Sequence, residues 1–116
     1  MATQALPPEE WSAFFDDFTR KHRGKPASIQ LYGPGTMGRA EAKRLPFAGV
    51  AFEKKGSDAG AVRVMLGDTA ESHLTHEIPG VNRVWSRPAA EDSGVLLEIH
   101  GAGDQTLILH LHSPSS

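Results

Sequence analysis

The chain has no cysteine, which excludes disulfides, thiolate nucleophiles and every zinc site built on sulfur. It also lacks an apolar run long enough to span a bilayer. Its opening residues, Met1 to Leu6, carry neither the basic nor the apolar region of a secretory signal, so a cytoplasmic, bacterial-type location is expected by elimination. No G-x-S-x-G elbow, H-E-x-x-H helix, zinc-finger pattern or RNP-type stretch occurs, and with them go the readable signatures of α/β-hydrolases, zincins and common nucleic-acid modules. What remains is ordinary for a folded domain: 39% hydrophobic and 22% charged residues over 116 positions. A chain of that length buries roughly 65% of the surface it exposes when unfolded, enough for a single domain spanning 1–116 without staples.

The net charge of -2 hides an uneven distribution. Residues 1–19 carry four acids and no base; 20–67 carry ten bases against three acids; 68–116 carry two bases against seven acids. A basic middle could face an anionic polymer such as RNA, with Arg39, Lys43 and Arg63 on outward strand positions and Tyr32 nearby for stacking. Pairing between the basic middle and the acidic ends accounts for the same pattern.

One helix is expected over 8–23. Trp11, Phe14, Phe15, Phe18 and His22 recur as a single apolar stripe. Pro7-Pro8 opens it, Glu9 and Glu10 sit in the first turn, and Lys21, His22 and Arg23 precede Gly24 at the C-terminal stop. Asp16–Arg20 and Asp17–Lys21 have the spacing of helical ion pairs. From Ala27 to His112 the period changes to two. Ser28–Tyr32, Arg39–Arg44, Phe47–Glu53, Ala61–Leu66, the segment 73–85, Val95–Ile99 and Thr106–His112 alternate between turns. Lys54–Gly60, Gly67–Ser72 and Pro88–Gly94 read as turns, and Ser113–Ser116 as a flexible tail. Seven or so strands without intervening helices predict an α+β fold: one N-terminal helix packed on a curved, mainly antiparallel sheet or partly closed barrel. A sheet with so much surface under one helix must curl or meet a second copy, so a homodimer is one expectation.

Gly33, Gly35 and Gly38 spell G-x-G-x-x-G after a strand, with Glu53 twenty residues on from Gly33. A dinucleotide-binding turn needs a helix next. Here Pro34 removes a donor and Pro46 stops any helix within about two turns, so a hairpin loop is the preferred reading. Among the six histidines, His110 and His112 share a strand face and, with His100 across the hairpin, form the candidate set for a divalent metal. The spacing of His73 and His76 sends them to opposite faces, His76 joining Leu74 and Ile78 on the apolar side. The segment His73 to Trp85 concentrates the remaining candidates, His73, Glu77, Arg83 and Trp85, of which Arg83 and Trp85 are typical interface anchors. No coherent catalytic set emerges. The leading expectation is a non-enzymatic binding module with an unknown protein partner; a histidine-held metal or small ligand is the alternative, and RNA or another anionic polymer on the basic segment the second.

Three features together resemble the bacterial family known as domain of unknown function 5335. They are the Pro-x-Glu-Trp opening (Pro8, Glu10, Trp11), the Leu-Pro-Phe-x-Gly segment Leu45 to Gly49, and His73-Leu74-Thr75-His76-x-Ile78-Pro79. The likeness runs from residue 7 to about 112 and implies a compact domain of this length. It implies no activity, cofactor or site residue.

Overall fold

The computed structural model describes residues 4–33, 36–54, 60–67, 69, 73–88 and 94–112. Eight strands pair antiparallel in one open sheet: β1 (Gln4–Ala5), β2 (Pro26–Gly33), β3 (Thr36–Phe52), β4 (Val62–Gly67), β5 (His73–Ile78), β6 (Arg83–Pro88), β7 (Val95–His100) and β8 (Thr106–Leu111). Their order across the sheet is β1-β6-β7-β8-β2-β3-β4-β5. Among the described residues a single α-helix, α1 (Trp11–His22), follows a 3-10 turn at Pro8–Glu10. The expected α+β architecture is present, with the sheet curved but not closed. The turns expected at Lys54–Gly60, Gly67–Ser72 and Pro88–Gly94 fall largely, and the tail Ser113–Ser116 wholly, outside the described residues.

The apolar stripe of α1 does what its spacing predicts. Trp11, Phe15 and Phe18 are buried, and Trp11 and Phe18 meet Phe52 and Phe47 edge-to-face at 5.3 and 5.7 Å, the arrangement that aromatic quadrupoles favour. Beneath them alternate residues of the strands fill one core: Ile29, Val62, Val64, Ile78, Val84, Leu97, Ile99, Leu107 and Leu109 among others. The helix starts on an anchor, since the indole N–H of Trp11 donates to the Leu6 carbonyl at 2.9 Å. Leu6 N–H in turn donates to Val84 O, extending the short β1–β6 ladder. On the exposed face, Asp17 accepts from both Arg20 and Lys21, and these hydrogen bonds hold its carboxyl below the usual value.

Two expectations need correction. β1 has no alternating pattern and is not foreseen; its two residues pair with Ser86 and Trp85 of β6. The separate strands expected at Arg39–Arg44 and Phe47–Glu53 are one strand of 17 residues, despite Pro46. The reason lies in the pairing. β3 pairs with β2 as far as Pro26↔Pro46 and with β4 from Phe47↔Leu66 onward. Pro46 thus sits where the strand changes partners, a position at which a missing N–H is tolerated. The G-x-G-x-x-G stretch opens a hairpin, as preferred: Gly33 pairs with Thr36, and β3 continues as strand rather than helix.

The second half of β3 has one edge not taken by a strand, and α1 seals it. Gly24, at φ +89°, donates to Phe47 O, and Phe47 N–H donates to Lys25 O, both at 2.8 Å. One turn earlier, the Thr19 hydroxyl donates to Val50 O (3.2 Å) and accepts from Val50 N–H (3.0 Å). A threonine side chain thereby takes the role of a neighbouring strand. Thr19→Val keeps the shape and removes both bonds, and is expected to cost about 1–2 kcal/mol for the stranded backbone groups, measured by urea denaturation.

At the end of α1, burial lowers the pKa of His22 from its ordinary 6.5, with Lys25 and Lys21 acting in the same direction. Lys25 Nζ lies 3.2 Å from His22 Nδ1, a contact only a neutral imidazole can accept. The unfolded chain takes up the proton more readily. The contribution of His22 is therefore present above the ordinary pKa and lost as pH falls through and below it. His22→Gln should flatten this part of the stability profile between about pH 7.5 and pH 5.5, seen as a smaller drop in denaturation midpoint than in the parent chain.

Candidate functional site

The four strands β6-β7-β8-β2 turn one face to the core and leave the other to solvent. On the solvent face the register builds rows across four strands. Arg83, His100, Thr106 and Tyr32 form one; Trp85, Glu98, Ile108 and Gln30 the next; Arg87, Leu96, His110 and Ser28 the third. Cross-strand neighbours on such rows lie within side-chain reach.

A chain of polar contacts runs through these rows. Arg87 forms an ion pair with Glu98, the other oxygen of Glu98 lies 3.4 Å from His100 Nε2, and His100 Nδ1 lies 3.1 Å from Thr106 Oγ1. An ionised Glu98 can only accept, so a neutral His100 carries its proton on Nε2 and accepts the Thr106 hydroxyl at Nδ1. Hydroxyl, imidazole and carboxylate in series are the ingredients of an activated nucleophile. Here Arg87 holds Glu98 from the far side, and the series orients His100 and Thr106 as fixed walls.

Those walls belong to a cleft of about 360 Å³ at the end of the sheet, lined by Asn82, Arg83, His100, Gly101, Asp104, Gln105 and Thr106. Its two sides come from the start of β6 and from the β7–β8 turn, and backbone bonds fix both. Asn82 N–H donates to His100 O at 2.9 Å, Gly101 N–H to Gln105 O at 2.8 Å, and Ala102 N–H to Pro79 O at 3.0 Å. The last bond ties the turn to the end of β5, so the far edge of the curved sheet returns to the cleft. Gly101 makes that return possible. A Cβ there would stand 2.3 Å from Ile78 Cγ2 and 2.6 Å from Pro79 O. Behind Gln105 and Thr106 lies a second, more apolar cavity of about 180 Å³, against Leu31, Tyr32, His76 and Ile78. Tyr32 is the one large apolar side chain that is exposed among the described residues. A shallower groove of about 400 Å³ separates α1 from β3 and β4 near Thr19, Gly49 and Met65.

The residues singled out in the sequence scatter over this framework. Arg83 and His100 meet, side by side, in the cleft. Trp85 is half-buried one row below Arg83. Glu77 lies on β5, where Arg63 bridges it and Glu53 at 3.1 and 3.0 Å. His73 is exposed at the start of β5, while His76 faces the apolar cavity as alternation predicts. His110 and His112 stack with ring centroids 3.9 Å apart, and His112 Nε2 lies 2.6 Å from Ser28 Oγ. His100 is not with them: its row is four residues along the ladder from that of His110, about 13 Å at strand rise. Among the described residues no three His, Asp or Glu side chains are grouped to hold a metal ion. Of the basic segment, Arg63 is held by its two glutamates, and the side chains of Arg39 and Lys43 lie outside the described residues. Asn82, Asp104, Gln105 and Thr106 are the cleft residues that sequence reasoning missed. Asp104 carried one signal, in the Gly101-Ala102-Gly103-Asp104 turn.

Among the described residues no helix is long and apolar enough to cross a membrane. No curated protein and no solved structure matches the chain. One family model does, over residues 2–116. With essentially the whole length matched, and the helix opening and His73–Pro79 segment inside that span, the chain belongs to the family of unknown function DUF5335.

Proposed function

We propose that this protein is a binding module rather than an enzyme, and that its ligand is a small charged molecule held in the cleft between β6 and the β7–β8 turn. One observation carries the reading: an arginine, an aspartate, an imidazole, two amides and a hydroxyl converge on a single cavity of about 360 Å³, within the size range of small-molecule sites. The backbone bonds on both sides support it, since a site fixed before binding loses little order when the ligand arrives.

Amide shifts in the full chain, titrated with a library of small charged fragments, test the reading. Shifts should cluster at residues 82–83 and 100–106. For anionic fragments Arg83→Ala should weaken binding at least about tenfold, as loss of a charged hydrogen bond implies. Fragments that shift other surfaces only, or an esterase activity abolished by Thr106→Val, would sink it.

A further inference from the structure

Several charges on the faces of this protein are spent on each other. Arg63 binds Glu53 and Glu77, Arg87 binds Glu98, and Arg20 and Lys21 bind Asp17. Two charged groups of the cleft are not. Arg83 enters it from β6 and Asp104 from the β7–β8 turn, both are exposed, and neither side chain makes an ion pair with another of the described residues. One positive and one negative group therefore line the same small cavity without neutralising each other.

The turn holds this separation in place. Asp104 is the one non-glycine residue with positive φ among those described, at +60°, following Gly103 at +70°. Most L residues avoid that region, and aspartate is among the few that tolerate it. The Gly101 N–H bond to Gln105 O closes the turn around it. The remaining groups add no competing charge. Glu98 is engaged by Arg87, and His100 spends its two ring nitrogens on Glu98 and Thr106.

A simple anion in this cleft gains Arg83 but meets Asp104, and a simple cation meets the reverse. A molecule with both charges gains both contacts, and this difference is what sets specificity. We infer that the ligand is a small zwitterion of the α-amino acid type, its carboxylate on Arg83 and its ammonium on Asp104, with the amides of Asn82 and Gln105 beside them. At about 360 Å³ the cleft accommodates a molecule of this class. The inference rests on the cleft being the ligand site proposed above.

The probes are L-alanine, its amide, which keeps only the ammonium, and N-acetyl-L-alanine, which keeps only the carboxylate. Each is titrated into the full chain and read by amide shifts at residues 82–83 and 100–106. Alanine should bind at least about tenfold more tightly than either derivative, the worth of one charged contact. Arg83→Gln should bring alanine down to the level of the amide. Asp104→Asn, which keeps a residue tolerant of this backbone conformation, should bring it down to the level of the acetylated form. N-acetylalanine binding the parent chain as tightly as alanine would overturn the inference and leave an Arg83-dependent anion site. The inference alone also falls if none of the three binds while other charged fragments still shift the cleft. Silence of the cleft to every probe removes both the inference and the reading beneath it.

Discussion

Replacing Phe15 by alanine should destabilise the protein by about 3–5 kcal/mol, the range for an aromatic side chain deleted from a core. At this chain length that corresponds to a fall in Tm of about 12–20 °C. Phe15 is completely buried and sits on the stripe of α1 between Trp11 and Phe18, over a sheet core that includes Phe47 and Val50. The vacated space lies between a helix and a sheet, each fixed by its own backbone bonds, so collapse around it is limited. Phe14, its half-buried neighbour, gives the contrast. Its ring centroid lies 5.7 Å from that of Phe15, and Phe14→Ala should cost less because part of that side chain already meets water. Thermal and urea unfolding of the two variants decides the matter. Equal losses would mean that the stripe is not packed as described.

The second large effect is expected from a single added methyl group. Gly101 has extended backbone that any residue can adopt (φ -123°), so Gly101→Ala meets no conformational penalty. It meets atoms instead. The new Cβ would fall 2.3 Å from Ile78 Cγ2 and 2.6 Å from Pro79 O, and the second of these is backbone that cannot rotate away. Separation of β5 from the β7–β8 turn is then required, at about 3 kcal/mol, the upper part of the usual cost of overpacking. Ile78→Ala in the same chain removes one of the two clashing partners. The double variant should therefore lose less than the sum of the singles, a coupling that a double-mutant cycle reads directly. Strict additivity would show that Gly101 and Ile78 are not in contact. Because Gly101 also lines the cleft, the same variant should broaden or shift the amide signals of residues 100–106.

Much of the fold was written in local pattern, and the site was not. The helix was legible because five residues repeat on one face and a proline and a glycine bracket them. The strands were legible because Val62, Val64 and Leu66, or Leu107, Leu109 and Leu111, alternate with polar or half-buried neighbours. β1 was illegible because two residues have no period. The continuity of β3 was hidden because Pro46 reads as a stop unless the change of partner around it is known. The cleft depends on something more remote. Asn82 and Arg83 meet Asp104 and Thr106 only through the β6–β7 and β7–β8 registers, and each of these polar residues, taken alone, looks like ordinary turn or surface chemistry. His100 was singled out as a metal ligand beside His110 and His112, but the ladder places it beside Arg83 and Thr106, four residues along from His110.

The strand order has a consequence for how the chain comes to be folded. β8 occurs last among the eight strands, yet it stands between β7 and β2. Ser28 on β2 and His112 just after β8 are in contact across 84 positions. During synthesis β2 through β5 can form their meander, and β6 and β7 their hairpin, but the two parts have no shared ladder until residues 106–111 have left the ribosome. Closure of that long loop is the slow, entropically costly event in such topologies. The sheet is therefore completed only when its last strand enters the middle and joins the two parts.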